Sequence, residues 1–271
     1  MKVLFLGDIV GRSGRTAVTT HLPALKIELG IDFVVANGEN LAAGFGLSQA
    51  TCEEMFAAGV DVITTGNHVW DQRDIVPVIS SDSRILRPLN FPAGTPGRGA
   101  CRYSDGKGRS VVVINVMGRV FMEPLDDPFA AVAGELQRHL LGQGTDFLLI
   151  DVHGEATSEK MAMGHFADGR ASLVVGTHSH VPTADAQILP QGTAYQTDAG
   201  MCGDYNSVIG MEKEEPLIRF TKKMASGRFT AAMGEGTMCG VYVETDDKTG
   251  LARAVHPVRL GGRLRPERPG I

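Results

Sequence analysis

Leu173-Val174-Val175-Gly176-Thr177-His178-Ser179-His180 is an apolar run that stops at a glycine and sets two imidazoles just beyond it. The construction recurs along the chain. Val3-Leu4-Phe5-Leu6 runs into Gly7-Asp8, Phe33-Val34-Val35-Ala36 into Gly38-Glu39-Asn40, Val62-Ile63-Thr64-Thr65 into Gly66-Asn67-His68, and Phe147-Leu148-Leu149-Ile150 into Asp151-Val152-His153. Short apolar runs bounded by turn residues read as buried strands. Open α/β sheets place ligand sites outside the carboxyl ends of their strands, and here those ends carry carboxylates, carboxamides and imidazoles. Gathered together, such oxygen and nitrogen donors suit a two-metal hydrolytic centre.

Between these runs the spacing changes to that of helices. Ala17, Val18, Leu22, Leu25 and Leu29 recur at helical intervals from about Gly14 to Gly30, and Ser48 is placed to cap a helix through Ala58. A helical stretch from Asp71 is expected to break or kink at Pro77, another spans Asp127 to Leu141, and a third starts near Ser158. Ser110 to Val116 reads as a further buried strand. Phe91 to Arg109, rich in Gly, Pro and Arg, reads as a long surface excursion, and the basic tail from Gly261 to Gly270 as frayed. Ala186–Leu189, Thr193–Gln196, Met238–Glu244 and Ala252–Leu260 read as antiparallel strands. Strand–helix alternation followed by paired strands predicts two layered sheets flanked by helices.

Asp8, Glu39, Asn40, Asn67, His153, His178 and His180 are the candidate metal ligands. In a strand His178 and His180 would point the same way. Glu39 and Asn40 are adjacent, so both can serve only where the strand has ended and the chain turns. His68 stands beside a candidate ligand. Asp151, within its strand, is either a hydrogen-bonding partner of the ligands or an ordinary strand residue. His21, His139, His165 and His256 have no ligand-like company. Glycines 7, 11 and 14 lack the order and lysine of a phosphate-binding P-loop, Gly44-Phe45-Gly46 lacks the third glycine of a dinucleotide fingerprint, and no HExxH is present.

Composition narrows the remaining classes. The chain has 271 residues, 43% of them hydrophobic, enough for a large α/β core, and a net charge of −5 that argues against broad coating of nucleic acid. Arg98, Arg102, Lys107 and Arg109 could form a basic patch for RNA or simply solvate an exposed loop. Cys52, Cys101, Cys202 and Cys239 form no CxxC and fit a reduced cytoplasmic protein. The six-residue run after Lys2 that ends at Asp8 is too short for a signal peptide or membrane span. Oligomeric state, including a homo-oligomer, is left open.

Gly7-Asp8-Ile9-Val10-Gly11-Arg12, Asn37-Gly38-Glu39-Asn40, Thr65-Gly66-Asn67-His68, the stretch from His153 through Lys160, that from Val175 through Asp185, and Thr197-Asp198-Ala199-Gly200-Met201 resemble the calcineurin-like metallophosphoesterases. The likeness is greater to their YmdB-like phosphodiesterase branch and runs from Met1 to about Arg259. It implies one domain over residues 1–271, with an α/β fold in which a two-layer β-sandwich is flanked by helices (α/β/β/α). Ordinary members carry D-x-H in the first motif. Here Val10 takes the histidine position, Glu39 replaces an aspartate, and the resemblance implies that Asn40 stands in for the missing ligand. One ion would then have Asp8, Glu39, Asn40 and His180, the other Glu39, Asn67, His153 and His178, with Glu39 bridging. The ions would be two divalent or mixed-valence transition metals: Fe, Mn, Zn or Co. The implied activity is hydrolysis of 2′,3′-cyclic nucleotides or similar phosphodiesters by a metal-bridging hydroxide, with His68 as general acid or charge stabiliser. The alternatives are a phosphomonoesterase, for which Arg12 could hold the extra charge, and a metal-binding regulatory or RNA-associated protein without turnover.

Overall fold

Val3 and Phe5 point into one core, and Leu4 and Leu6 into another. The first pair meets Val35, Val62, Val241 and Val243 of its own sheet and Val111, Val113, Phe147, Leu149 and Val175 of a second sheet. The other pair faces Ala17, Val18, Leu22 and Leu25 of the following helix. A strand buried on both faces has to be apolar throughout, which is why these segments run without polar interruption.

The computed structural model describes residues 1–270. In chain order the elements are β1 (Lys2–Leu6), β2 (Asp8–Ile9), α1 (Gly11–Leu29), β3 (Phe33–Asn37), α2 (Gln49–Ala58), β4 (Val62–Thr64), α3 (Ile75–Ser81), β5 (Ala100–Ser104), β6 (Ser110–Met117), α4 (Pro128–Arg138), β7 (Phe147–His153), α5 (Thr157–Ala167), β8 (Leu173–Thr177), β9 (Gln187–Ile188), β10 (Ala194–Gln196), β11 (Met201–Cys202), α6 (Glu214–Lys222), β12 (Met238–Thr245) and β13 (Ala252–Leu260). Among the described residues one sheet has the order β13-β12-β1-β3-β4, a second β5-β6-β7-β8-β10-β9, and a short pair joins β11 to β2. Helices α1, α2 and α3 cover the first sheet, and α4 and α5 the second. The result is the expected α/β/β/α layering. Parallel β1, β3 and β4 bring Asp8, Glu39 and Asn67 to one end of their sheet, while parallel β7 and β8 bring His153 and His178 to the end of the other.

Several sequence expectations need correction. Residues 91–109 are not wholly irregular, because Ala100–Ser104 forms β5, antiparallel to β6. As a half-exposed edge strand it lacks the apolar run that marks the others. Pro77 neither breaks nor kinks α3: it is the third helical residue, where its missing N–H has no partner to lose. β10 pairs antiparallel with β9 but parallel with β8. The basic tail is pinned: Arg259 and Glu267 exchange backbone hydrogen bonds, and Arg268 pairs with Glu28.

Candidate metal centre

Donors from both sheets meet at the seam between them. His153 closes β7 and is fully buried. Its Nε2 faces Asn67 Oδ1 at 3.0 Å, His178 Nδ1 at 3.1 Å and Glu39 Oε1 at 3.2 Å. One ring nitrogen carries at most one proton, so it can satisfy only one of these three acceptors. A cation among them would satisfy all. The same Glu39 oxygen also lies 3.2 Å from Asn40 Nδ2, which is 3.3 Å from His180 Nε2, and His180 Nε2 lies 3.8 Å from Asp8 Oδ1. Asp8 Oδ1 is buried and has no hydrogen-bond partner. A half-turn of the Asn40 carboxamide would offer its oxygen instead of its nitrogen. Two overlapping donor groups result, Glu39–His153–His178 and Asp8–Glu39–His180, each compact enough to hold an ion.

The imidazoles are oriented from behind. His180 Nδ1 meets the Ile209 carbonyl at 2.7 Å, which leaves Nε2 for the centre. His153 Nδ1 meets Thr177 Oγ1 at 3.0 Å, and Thr177 Oγ1 donates to Asp151 at 2.7 Å. Asp151 also accepts from Thr64 Oγ1 at 2.6 Å and Asn37 Nδ2 at 3.2 Å, so it ties the two sheets together behind His153. It is thus hydrogen-bonded to Thr177, the residue that meets His153. His178 and His180 do not converge by strand alternation. β8 ends at Thr177, and both residues turn with positive φ, 95° and 63°. Such conformations are costly for a side chain with a Cβ and persist where surroundings enforce them. Gly66 is required for space: a Cβ there would lie 2.2 Å from His153 Cδ2 and 2.5 Å from Glu39 Oε2.

Burial pushes the Asp8 carboxyl above the ordinary carboxylate range, against the pull of His180 and His153. Burial acts likewise on Glu39, but the adjoining His153 outweighs it and holds the carboxyl at about 2. Burial pushes His153 down, yet the charges of Glu39, Asp8 and Asp151 hold it up at about 9. His178 is lowered to about 3 by burial and by the charge on His153. The cluster on its own therefore balances its carboxylates with a proton on His153.

His68 lies at the edge of this group. Its backbone N–H donates to Glu39 Oε2 at 3.1 Å, its Nδ1 meets Asp71 Oδ2 at 2.7 Å, and its ring stands edge-on to Phe45. All seven candidate ligands and His68 are thus brought together.

The model of the family described as YmdB-like protein matches residues 4–258. The chain belongs to the YmdB-like family. It is 47% identical over 260 residues to the 2′,3′-cyclic-nucleotide 2′-phosphodiesterase of Bacillus subtilis (strain 168), covering 96% of this chain and 97% of that one. Among solved structures, a hypothetical protein from Thermus thermophilus superposes with a TM-score of 0.90 at 44% identity, over 97% of this chain and 100% of the other. A phosphatase from Mycoplasma pneumoniae superposes with 0.89 at 32% identity, over 99% and 95%.

Sequence reading gave no role to Lys160 and Asp198, although both lie in stretches that carry the family resemblance. Lys160 Nζ reaches Asp198 Oδ2 at 2.8 Å, and both side chains are buried. The same oxygen accepts from the Ser179 N–H at 3.1 Å, between the two turning histidines, and Oδ1 accepts from Gly200 N–H at 2.9 Å. A Cβ on Gly176 would strike the Thr197 carbonyl oxygen at 1.8 Å and Lys160 Cδ at 2.7 Å, so only glycine lets the pair approach. The signal available in sequence was two opposite charges in family-like stretches, with nothing local to join them.

Two outcomes follow from this geometry. Ligation requires a neutral His153, so below about pH 9 an incoming ion must expel its proton. Mn²⁺ added to metal-stripped protein near pH 7.5 in weak buffer is expected to release about one proton from this group, and metal affinity to weaken on acidification. A pH-independent affinity without proton release contradicts the reading of His153. Lys160→Met leaves a buried carboxylate uncompensated and is expected to cost about 3–5 kcal/mol of unfolding free energy, with much of it recovered when Asp198→Asn is added. Urea denaturation checks this: strictly additive losses would show that the pair does not act as a unit.

Proposed function

We propose that the chain is a dinuclear-metal phosphodiesterase acting on 2′,3′-cyclic nucleotides or similar phosphodiesters. The carrying observation is one cavity of about 440 Å³ lined by Glu39, Asn40, His68, His178 and His180 together with a cationic side chain, Arg219, that already has two hydrogen-bond partners of its own. Arg219 Nε donates to Glu215 Oε1 at 2.7 Å and Nη2 to the Gly227 carbonyl at 3.0 Å. The activity named for the Bacillus subtilis relative supports the same reading.

The donor set would hold one ion through Asp8, Asn40 and His180 and a second through Asn67, His153 and His178, with Glu39 shared. Mixed oxygen and nitrogen donors suit Fe, Mn, Zn or Co. When bound, such ions supply Lewis acidity, lower the pKa of a water and clamp phosphate oxygens. His68 protonates or steadies the departing oxygen. Asp71 takes the Nδ1 side of its ring, leaving Nε2 for the substrate. Asp151, Thr177 and Ile209 hold the ligating rings in place.

Charge favours a diester over a monoester. A diester carries one negative charge and a monoester nearly two at neutral pH, and the second calls for a free bidentate donor. Arg219 already donates from Nε to Glu215 and from Nη2 to the Gly227 carbonyl. Arg12 is exposed on α1 and lines a separate groove with Thr16 and His21. Glu155 lies at the cavity, 3.3 Å from His178 Nε2, and adds negative charge of its own. The Arg98–Arg109 segment does not favour an RNA partner: Lys107 and Arg109 pair with Asp32, and Arg102 donates to the Gly144 carbonyl. Among the described residues no helix is long and apolar enough to cross a membrane.

His68→Ala is expected to keep its metals while turnover of a chromogenic diester falls by roughly 10²–10⁴-fold. The wild-type protein with Mn²⁺ is expected to favour that diester over the matching monoester in kcat/KM. Loss of metal from the variant would make His68 a ligand, and a monoester preference above about tenfold would replace the phosphodiesterase by a phosphatase.

A further inference from the structure

The chain between β11 and β12 leaves the sheets and folds over the metal centre. Its helix α6 buries only Glu215 and Pro216. Glu215 accepts from Ser226 Oγ at 2.6 Å and from Arg219, which fastens the helix to the turn that follows it. That turn presents Phe229, and the Arg219 guanidinium stacks over its ring at 4.0 Å from the centroid. Two in-plane hydrogen bonds and one stacked ring fix the guanidinium plane. Phe220 follows it in the helix with 70% of its surface exposed. Arg219, Phe220 and Phe229 line the same cavity as Glu39, His178 and His180, as do Ile209 and Met211.

From this geometry we infer that Arg219, Phe220 and Phe229 form the subsite for the nucleobase of the substrate, a stacking platform in the same cavity as the phosphate-binding donors. The inference rests on the phosphodiesterase reading. A fixed guanidinium plane and an uncovered ring offer π-faces, which every base can use, and they offer little edge hydrogen bonding. A sugar phosphate without a base would leave this wall bare, since its other residues (Val208, Ile209, Met211 and Pro216) bring no polar side chain to a hydroxyl. The volume of about 440 Å³ lies within the range of small-ligand sites, roughly 300–1,000 Å³.

The test compares Mn²⁺-loaded wild type, Phe220→Ala, Arg219→Lys and Phe220→Trp on 2′,3′-cyclic AMP and on the 2′,3′-cyclic phosphate of 1-O-methylribose, which has no base. Calorimetric binding of adenosine 3′-monophosphate and ribose 3-phosphate is measured alongside. Base stacking predicts that wild type prefers the nucleotide in both kcat/KM and binding. The preference should fall about tenfold or more in Phe220→Ala and Arg219→Lys, which keeps the charge and loses the plane, and should persist in Phe220→Trp. Phe220 is exposed, so its replacement leaves the core intact. Equal hydrolysis and binding of the two substrate types by wild type overturns the subsite and leaves the phosphodiesterase standing. Base-selective binding without turnover of any diester overturns the phosphodiesterase and leaves the subsite standing. A Phe220→Ala protein with unchanged base preference but altered sedimentation overturns the subsite and assigns the ring to contact between copies.

Discussion

Two carboxylates, Asp8 and Glu39, are buried to within 1% of complete exclusion from solvent at the seam of two sheets. Charge placed there is unfavourable by several kcal/mol per group unless partners surround it. The partners come from separate strand ends: Asn40 after β3, Asn67 after β4, His153 at the end of β7, and His178 and His180 after β8. The parallel strands β1, β3 and β4 of one sheet and β7 and β8 of the other must therefore bring their carboxyl ends to one seam. Asp151 makes that meeting explicit, since its oxygens take hydrogen bonds from Asn37 and Thr64 of one sheet and Thr177 of the other. The apolar layers supply cohesion, and this polar seam specifies how they align.

Much of the fold was legible because the central strands are buried on both faces. Their apolar runs end abruptly at glycine and a polar donor, which marks both a strand and its carboxyl end. β5 was not legible, because an edge strand of intermediate exposure carries no such run and its neighbourhood is rich in Gly and Pro. The parallel pairing of β10 with β8 depends on a crossover that local pattern does not encode.

The candidate site was legible for a related reason. Ligand types repeat at equivalent places, so their convergence could be read without coordinates, although the conformation that produces it could not. His178 and His180 reach the donor cluster through left-handed turns rather than strand alternation. The groups that orient them left no local mark: Lys160 and Asp198 are 38 residues apart and meet only in the fold. Arg219 and Phe220 were equally hidden. They belong to a cap whose own pattern is that of an ordinary surface helix, and only its position over the donors gives them meaning. On the proposed reading, the seam that gathers donors serves the chemistry and the peripheral cap serves selection.

The central claim is that this seam holds two ions shared through Glu39. Anomalous diffraction from crystals loaded with Mn²⁺ measures that directly. Two peaks within about 4 Å of each other are predicted, one bonded to Asp8 and His180, the other to His153 and His178, with Glu39 touching both. A single peak, or none within bonding distance of His178 or His180, would contradict the account.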